Sequence, residues 1–144
     1  MRPATAALAL LLALPVAAPA LADGAMSLGI YLWNTPDGDP VRAQFLSIAD
    51  GTAEIEVDGP EGTKNDTHTA TPEETALLTA AVKEQMSSLS MVAKPQPPGP
   101  YVTVDWHFST DTGYADGSAA YPLDAVPASV VALQKTAFGA AFAK

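Results

Sequence analysis

An α+β fold is what this sequence predicts: a small antiparallel sheet of about five strands in the order β-β-β-α-β-β-α, covered on one face by two helices. Three observations carry it. Apolar residues alternate at period two in several short stretches, two other stretches switch to helical spacing after a proline, and clusters of turn formers separate them.

The first 22 residues stand outside that domain. Arg2 is their one charge, and the apolar run from Ala6 to Leu14 ends at Pro15. Such a run is too short for a membrane-spanning helix, which needs about 20 apolar residues. The small residues around Ala20-Leu21-Ala22 suit a signal peptidase, so cleavage is expected after Ala22, leaving residues 23–144 as a single domain. One arginine gives no twin-arginine signal, and a chain without cysteine has no lipobox. The expected product is a freely soluble periplasmic or secreted protein, exported by a Sec-type signal.

Residues 26–33 place Met26, Leu28, Ile30 and Leu32 on one side and Gly29, Tyr31 and Trp33 on the other, the pattern of a strand with one buried face. Asn34, Pro36, Asp37, Gly38, Asp39 and Pro40 then reverse the chain. Residues 41–48 and 52–57 read as a hairpin around Asp50-Gly51, which would set Ile48 against Ala53 and Leu46 against Ile55. Val41, Ala43 and Phe45 have the opposite phase, which asks for a strand covered on both faces or a bulge near Phe45. Residues 58–70 are polar, contain the acceptor-shaped triplet Asn65-Asp66-Thr67, and read as an exposed loop.

Thr71-Pro72-Glu73-Glu74 has the form of a capping box, with Pro at the first helical position. The helix it opens should bury Leu78, Ala81, Val82, Met86 and Leu89 and stop near Met91, before the proline-rich residues 94–100. Residues 101–109 alternate again, with Val102, Val104, Trp106 and Phe108 toward the core and Thr103, Asp105 and His107 away from it. A turn-rich segment, 110–118, leads to a short partner strand at 119–121. Residues 123–127 open a last helix, with Pro127 near its first turn, which should bury Val130, Leu133, Ala137, Phe138, Ala141 and Phe142.

Composition then limits function. The 144 residues include 7 basic and 16 acidic side chains, a formal net charge of -9, and no cysteine. Removing residues 1–22 takes away only Arg2 among the charges, so the remaining 122 residues carry -10 and are about 43% hydrophobic. Thiol nucleophiles, disulfides and cysteine-ligated metals are excluded. A strongly acidic chain without a basic run repels phosphate backbones and anionic lipid, so no nucleic-acid partner is expected, and no membrane anchor after signal cleavage.

Any metal or general-base chemistry must use His68 or His107, the two histidines. Asp105 and His107 are two apart on one strand and share a face. Asp111, or Asp66 and His68 if the long loop folds over that face, would complete a ligand set or a hydrolytic site. A solvated strand face carries the same residues without any such role, so no metal and no cofactor is expected. Asp111-Thr112-Gly113 matches the triplet of aspartic proteases, but Ser109-Thr110 precede it and Tyr114 follows where that family has apolar and small residues. It reads as a turn. No serine lies in a Gly-x-Ser-x-Gly elbow.

Tyr31 and Trp33 share a face with few large apolar neighbours in sequence, which makes them candidates for binding a ligand or partner. The expected function is a non-enzymatic binding or inhibitor-like module with a protein or small-molecule partner. The alternative is a small hydrolase using Asp105 and His107, with His68 as a further catalytic candidate. Emfourin-type and cystatin-type protease inhibitors resemble the expected layout of a sheet with helix cover, and share no motif with this chain.

Overall fold

The computed structural model describes residues 24–87, 97 and 99–142. The signal segment, Leu89 and Met91 at the expected end of the first helix, and most of the proline-rich stretch lie outside the described residues.

Six strands form one antiparallel sheet: β1 (Ala25–Trp33), β2 (Arg42–Ala49), β3 (Thr52–Gly59), β4 (Gly62–Thr69), β5 (Tyr101–Thr110) and β6 (Gly113–Pro122). Their spatial order is β4-β3-β2-β1-β5-β6. The first four strands therefore meander outward from the centre, and β5 returns to pair with β1 on its free side. Helix α1 (Pro72–Ser87) makes that return, and helix α2 (Ala128–Ala137) follows β6 after a single 3-10 turn at Leu123–Ala125. The α+β layout with helices on one face is as expected, but the sheet has six strands rather than about five.

The extra strand is β4, in the segment that reads as a loop. Its side chains are nearly all exposed, so the period-two alternation of a half-buried strand is absent. It is held instead by its ladder to β3, which runs from Thr52↔Thr69 to Gly59↔Gly62, and its three threonines suit an extended backbone. Gly62, at φ +101, closes the tight turn after Pro60-Glu61. Strand β6 is likewise longer than residues 119–121, because Gly113, Ala115, Gly117 and Ala119 on its inner face are too small to give a hydrophobic signal. They leave room for large neighbours: a Cβ on Gly117 would lie 2.8 Å from the Trp106 indole.

The hairpin between β2 and β3 forms as its sequence requires, with Asp50 at φ 49 and Gly51 at φ 75. Ile48 pairs with Ala53 and Leu46 with Ile55. The register runs unbroken past Phe45, so there is no bulge, and Phe45 sits half-buried on the face away from the helices.

Under the helices lie Leu28, Ile30, Leu46, Val104 and Trp106 from the sheet, with Leu78, Val82, Val130 and Leu133 from the helices. Each such side chain removes enough apolar area from water to contribute about 1.5–3 kcal/mol before conformational entropy is charged against it. The buried stripe of α1 turns toward Gln85, not Met86, which is 37% exposed. Stepping from Leu78 through Ala81 and Val82 by three or four residues reaches position 85, where the Tyr121 hydroxyl donates to Gln85 Oε1 at 2.9 Å. A second polar link crosses the core, Gln134 Nε2 donating to Gln44 Oε1 at 2.9 Å and Gln44 Nε2 to the Ala140 carbonyl at 3.2 Å. It pins α2 to β2. Pro127, next to the first turn, is the N-cap of α2, and Gly139 at φ 75 takes the left-handed position just past the helix end.

Candidate functional site on the open sheet face

Period-two alternation gives the sheet two unlike faces. One lies under α1 and α2. The other carries Gly29, Tyr31 and Trp33 of β1, Phe45 of β2, Asp105 and His107 of β5, and Tyr114, Asp116 and Ser118 of β6. No described helix packs on it.

Aromatic rings are set at three levels along this open face. At one end Trp33 stacks on its cross-strand partner Tyr101, ring centres 6.2 Å apart and planes within 7°. The Trp33 indole N–H donates to Thr103 Oγ1 at 2.8 Å. In the middle the Tyr31 ring leans over Gly29, so close that a Cβ there would be 2.7 Å from the phenol oxygen. Glycine leaves the space that the ring occupies. At the far end His107 stacks on Tyr114 at 6.1 Å, and Tyr114 is 75% exposed.

Between these rings is an open depression of about 490 Å³, walled by Tyr31, Phe45, Asp105, His107, Asp116 and Ser118. The Ser118 hydroxyl donates to Asp105 Oδ1 at 2.5 Å, which fixes that carboxylate across the β5–β6 pair. Burial, and then the negative charges of Asp105 and Glu56, push the Tyr31 phenol above its ordinary value. The site is thus an aromatic floor in a negative field.

The candidate residues divide between the two faces. Tyr31, Trp33, Asp105 and His107 share the open face, and Tyr31, Asp105 and His107 line one depression. Trp33 is not free as its sequence context implied, since Tyr101 and Thr103 hold it. His68 is elsewhere: its partner Ala53 faces the core, so it lies on the helix-covered side of an edge strand. The strand reaches the start of α1, not His107. Asp111 is at the tip of the β5–β6 hairpin, in the turn that its triplet implies. Among the described residues no hydrogen bond joins His107 to a serine, and no three His, Asp or Glu side chains converge as metal ligands. No helix among them is long and apolar enough to cross a membrane.

His68 has a structural setting of its own. Nδ1 lies 2.7 Å from Asp66 Oδ2 and Nε2 2.9 Å from Glu74 Oε1, so the ring bridges β4 to the first turn of α1. Hydrogen bonds to Glu74 and Asp66 raise its pKa, favouring the imidazolium, which donates from both nitrogens. Glu74 is also the capping-box glutamate: the Thr71 N–H donates to Oε2 at 2.9 Å, and the Glu74 N–H donates to Thr71 Oγ1 at 3.1 Å. Burial would raise the Glu74 carboxyl, but hydrogen bonds from Thr71 and His68 outweigh it and hold the group low.

Of the residues on this face, sequence spacing singles out Tyr31, Asp105 and His107 as candidates and leaves out Phe45, Tyr114, Asp116 and Ser118. The off-phase position of Phe45 was the signal available for it. The β6 residues had none, because that strand was hidden in a run of small and turn-forming residues. Comparison with protein-family models, curated proteins and solved structures finds no match to this chain.

Proposed function

We propose that this is an exported, non-enzymatic binding module that meets its partner with the open face of its sheet. The observation that carries the reading is that face itself: aromatic rings fixed by stacking and hydrogen bonds, yet left without helix cover. Rigid aromatic side chains give contact area at low entropic cost, and Tyr114 is 75% exposed and stacked on His107. The separation of His68 from His107 supports binding over hydrolysis, as does a Ser118 hydroxyl bonded to a carboxylate instead of an imidazole.

Affinity capture with the 23–144 chain from its own envelope or culture fraction tests the reading when repeated with the Phe45→Ala/Tyr114→Ala variant. A stoichiometric partner retained by the parent chain and lost by the variant is expected. Substrate turnover abolished by His107→Ala would overturn it. Export is checked by the mass of the chain recovered from that fraction, which should begin at Asp23.

A further inference from the structure

Strand register sorts the charges of the sheet. Glu54, Glu56, Asp58, Asp105 and Asp116 alternate onto the open face, whereas Arg42 and Lys64, the strand cations, fall in the opposite phase. Among the described strands, then, the open face carries carboxylates and neither Lys nor Arg. The remaining described lysines, Lys83 and Lys135, are on the helices.

At the centre of this face one cross-strand row reads Glu56, Phe45, Gly29, Asp105, Ser118. Gly29 contributes no side chain, and the Tyr31 ring fills the space above it, between Phe45 and Asp105. The phenol feels the charges of Asp105 and Glu56. Aromatic faces beside fixed carboxylates are the elements that bind a guanidinium or ammonium group: the rings offer their negative faces and Asp105 offers a charge-assisted acceptor. Ser118 already holds that acceptor in place.

We propose that the open sheet face docks a basic segment of a partner protein, seating an Arg or Lys side chain in the depression beside the Tyr31 ring, against Asp105. This rests on the binding-module reading above and names the partner's chemistry. A second copy of the chain is a poor occupant, because it would set like-charged faces against each other. Free small molecules are poor occupants too, since their sites enclose about 70–90% of the ligand, whereas this depression is open.

The test uses the 23–144 chain with a synthetic peptide alternating Arg and Thr, a counterpart with Glu for Arg, and spermidine. Binding is measured by calorimetry and by amide shift changes, at low and high ionic strength. The Arg peptide should bind with an affinity that falls as salt rises, shifting Gly29, Tyr31, Asp105 and Ser118. Asp105→Asn with Glu56→Gln should weaken it about tenfold or more, and Glu61→Gln with Glu73→Gln, off the open face, less than about twofold. Equal weakening by both pairs, shifts confined to the helices, spermidine bound as tightly as the peptide, or no binding would each overturn the proposal. A natural partner lost with Phe45→Ala/Tyr114→Ala but indifferent to the carboxylate pair would leave the binding module standing and remove only its basic partner.

Discussion

Gly29 and Gly117 each lie under an aromatic ring, one on each face of the same sheet. A Cβ on Gly29 would come within 2.7 Å of Tyr31, and one on Gly117 within 2.8 Å of Trp106. The crowding is the same, but the rings differ in cover. Trp106 is 4% exposed and lies beneath the helices, whereas Tyr31 is half-buried on the face without helix cover. The covered face therefore stores stability in its packing, and the open face holds Tyr31 where no helix packs on it.

The largest effects should separate the two faces at adjacent residues. Leu46→Ala removes a fully buried side chain from beneath the helices and should cost about 2–5 kcal/mol. Phe45→Ala, one residue away on the open face, should cost less, about 1–2 kcal/mol, because no helix packs on it. Urea unfolding measures both, and similar losses would mean that the open face is as much a core as the other.

The glycines come next. Gly117→Ala should cost about 1–3 kcal/mol, the range for overpacking a filled core. Gly29→Ala should cost less than about 1 kcal/mol, while displacing Tyr31 and bringing its phenol titration back toward the ordinary value. Equal costs would contradict the difference in cover between the two rings. Trp33→Ala falls between, at about 1–2 kcal/mol, because it loses both the stack on Tyr101 and the bond to Thr103. An unchanged melting temperature would show that Trp33 is a free anchor after all.

His68→Gln sharpens the comparison through pH. The folded state raises the His68 pKa, so its contribution is complete below the unfolded value of about 6.5 and is lost as pH rises through the folded value. Glu74 is held low, so its contribution is present above its unfolded pKa and lost as pH falls through the folded one. The link between β4 and α1 is strongest between those limits. The stability advantage of the parent over His68→Gln should therefore shrink from mildly acidic to mildly alkaline pH. An advantage independent of pH would mean that the ring is held neutral.

The covered face was far more legible in the sequence than the open one. Leu28, Leu46, Val104 and Leu78 announce themselves by period, and Thr71 with Glu74 by spacing, because burial and capping act on residues close in the chain. Strand β4 was illegible because an edge strand can be polar on both faces and owe its place to backbone bonds and a polar link such as that of His68 to Glu74, not to apolar burial. The small residues of β6 acquire meaning only beside Trp106 and Phe108, a contact made by the β5–β6 pairing. The open-face site was half legible: Tyr31, Asp105 and His107 share a phase within their own strands, but the row that joins Glu56, Phe45, Gly29, Asp105 and Ser118 exists only once five strands are in register.

The division of labour between the faces is tested most directly by mapping amide shift changes onto the 23–144 chain while the Arg-Thr peptide is added. The shifts should gather on β1, β5 and β6 around Gly29, Asp105 and Ser118 and leave the core-facing turns of α1 and α2 unmoved. Shifts centred on α1 and α2, with the open face silent, would contradict it.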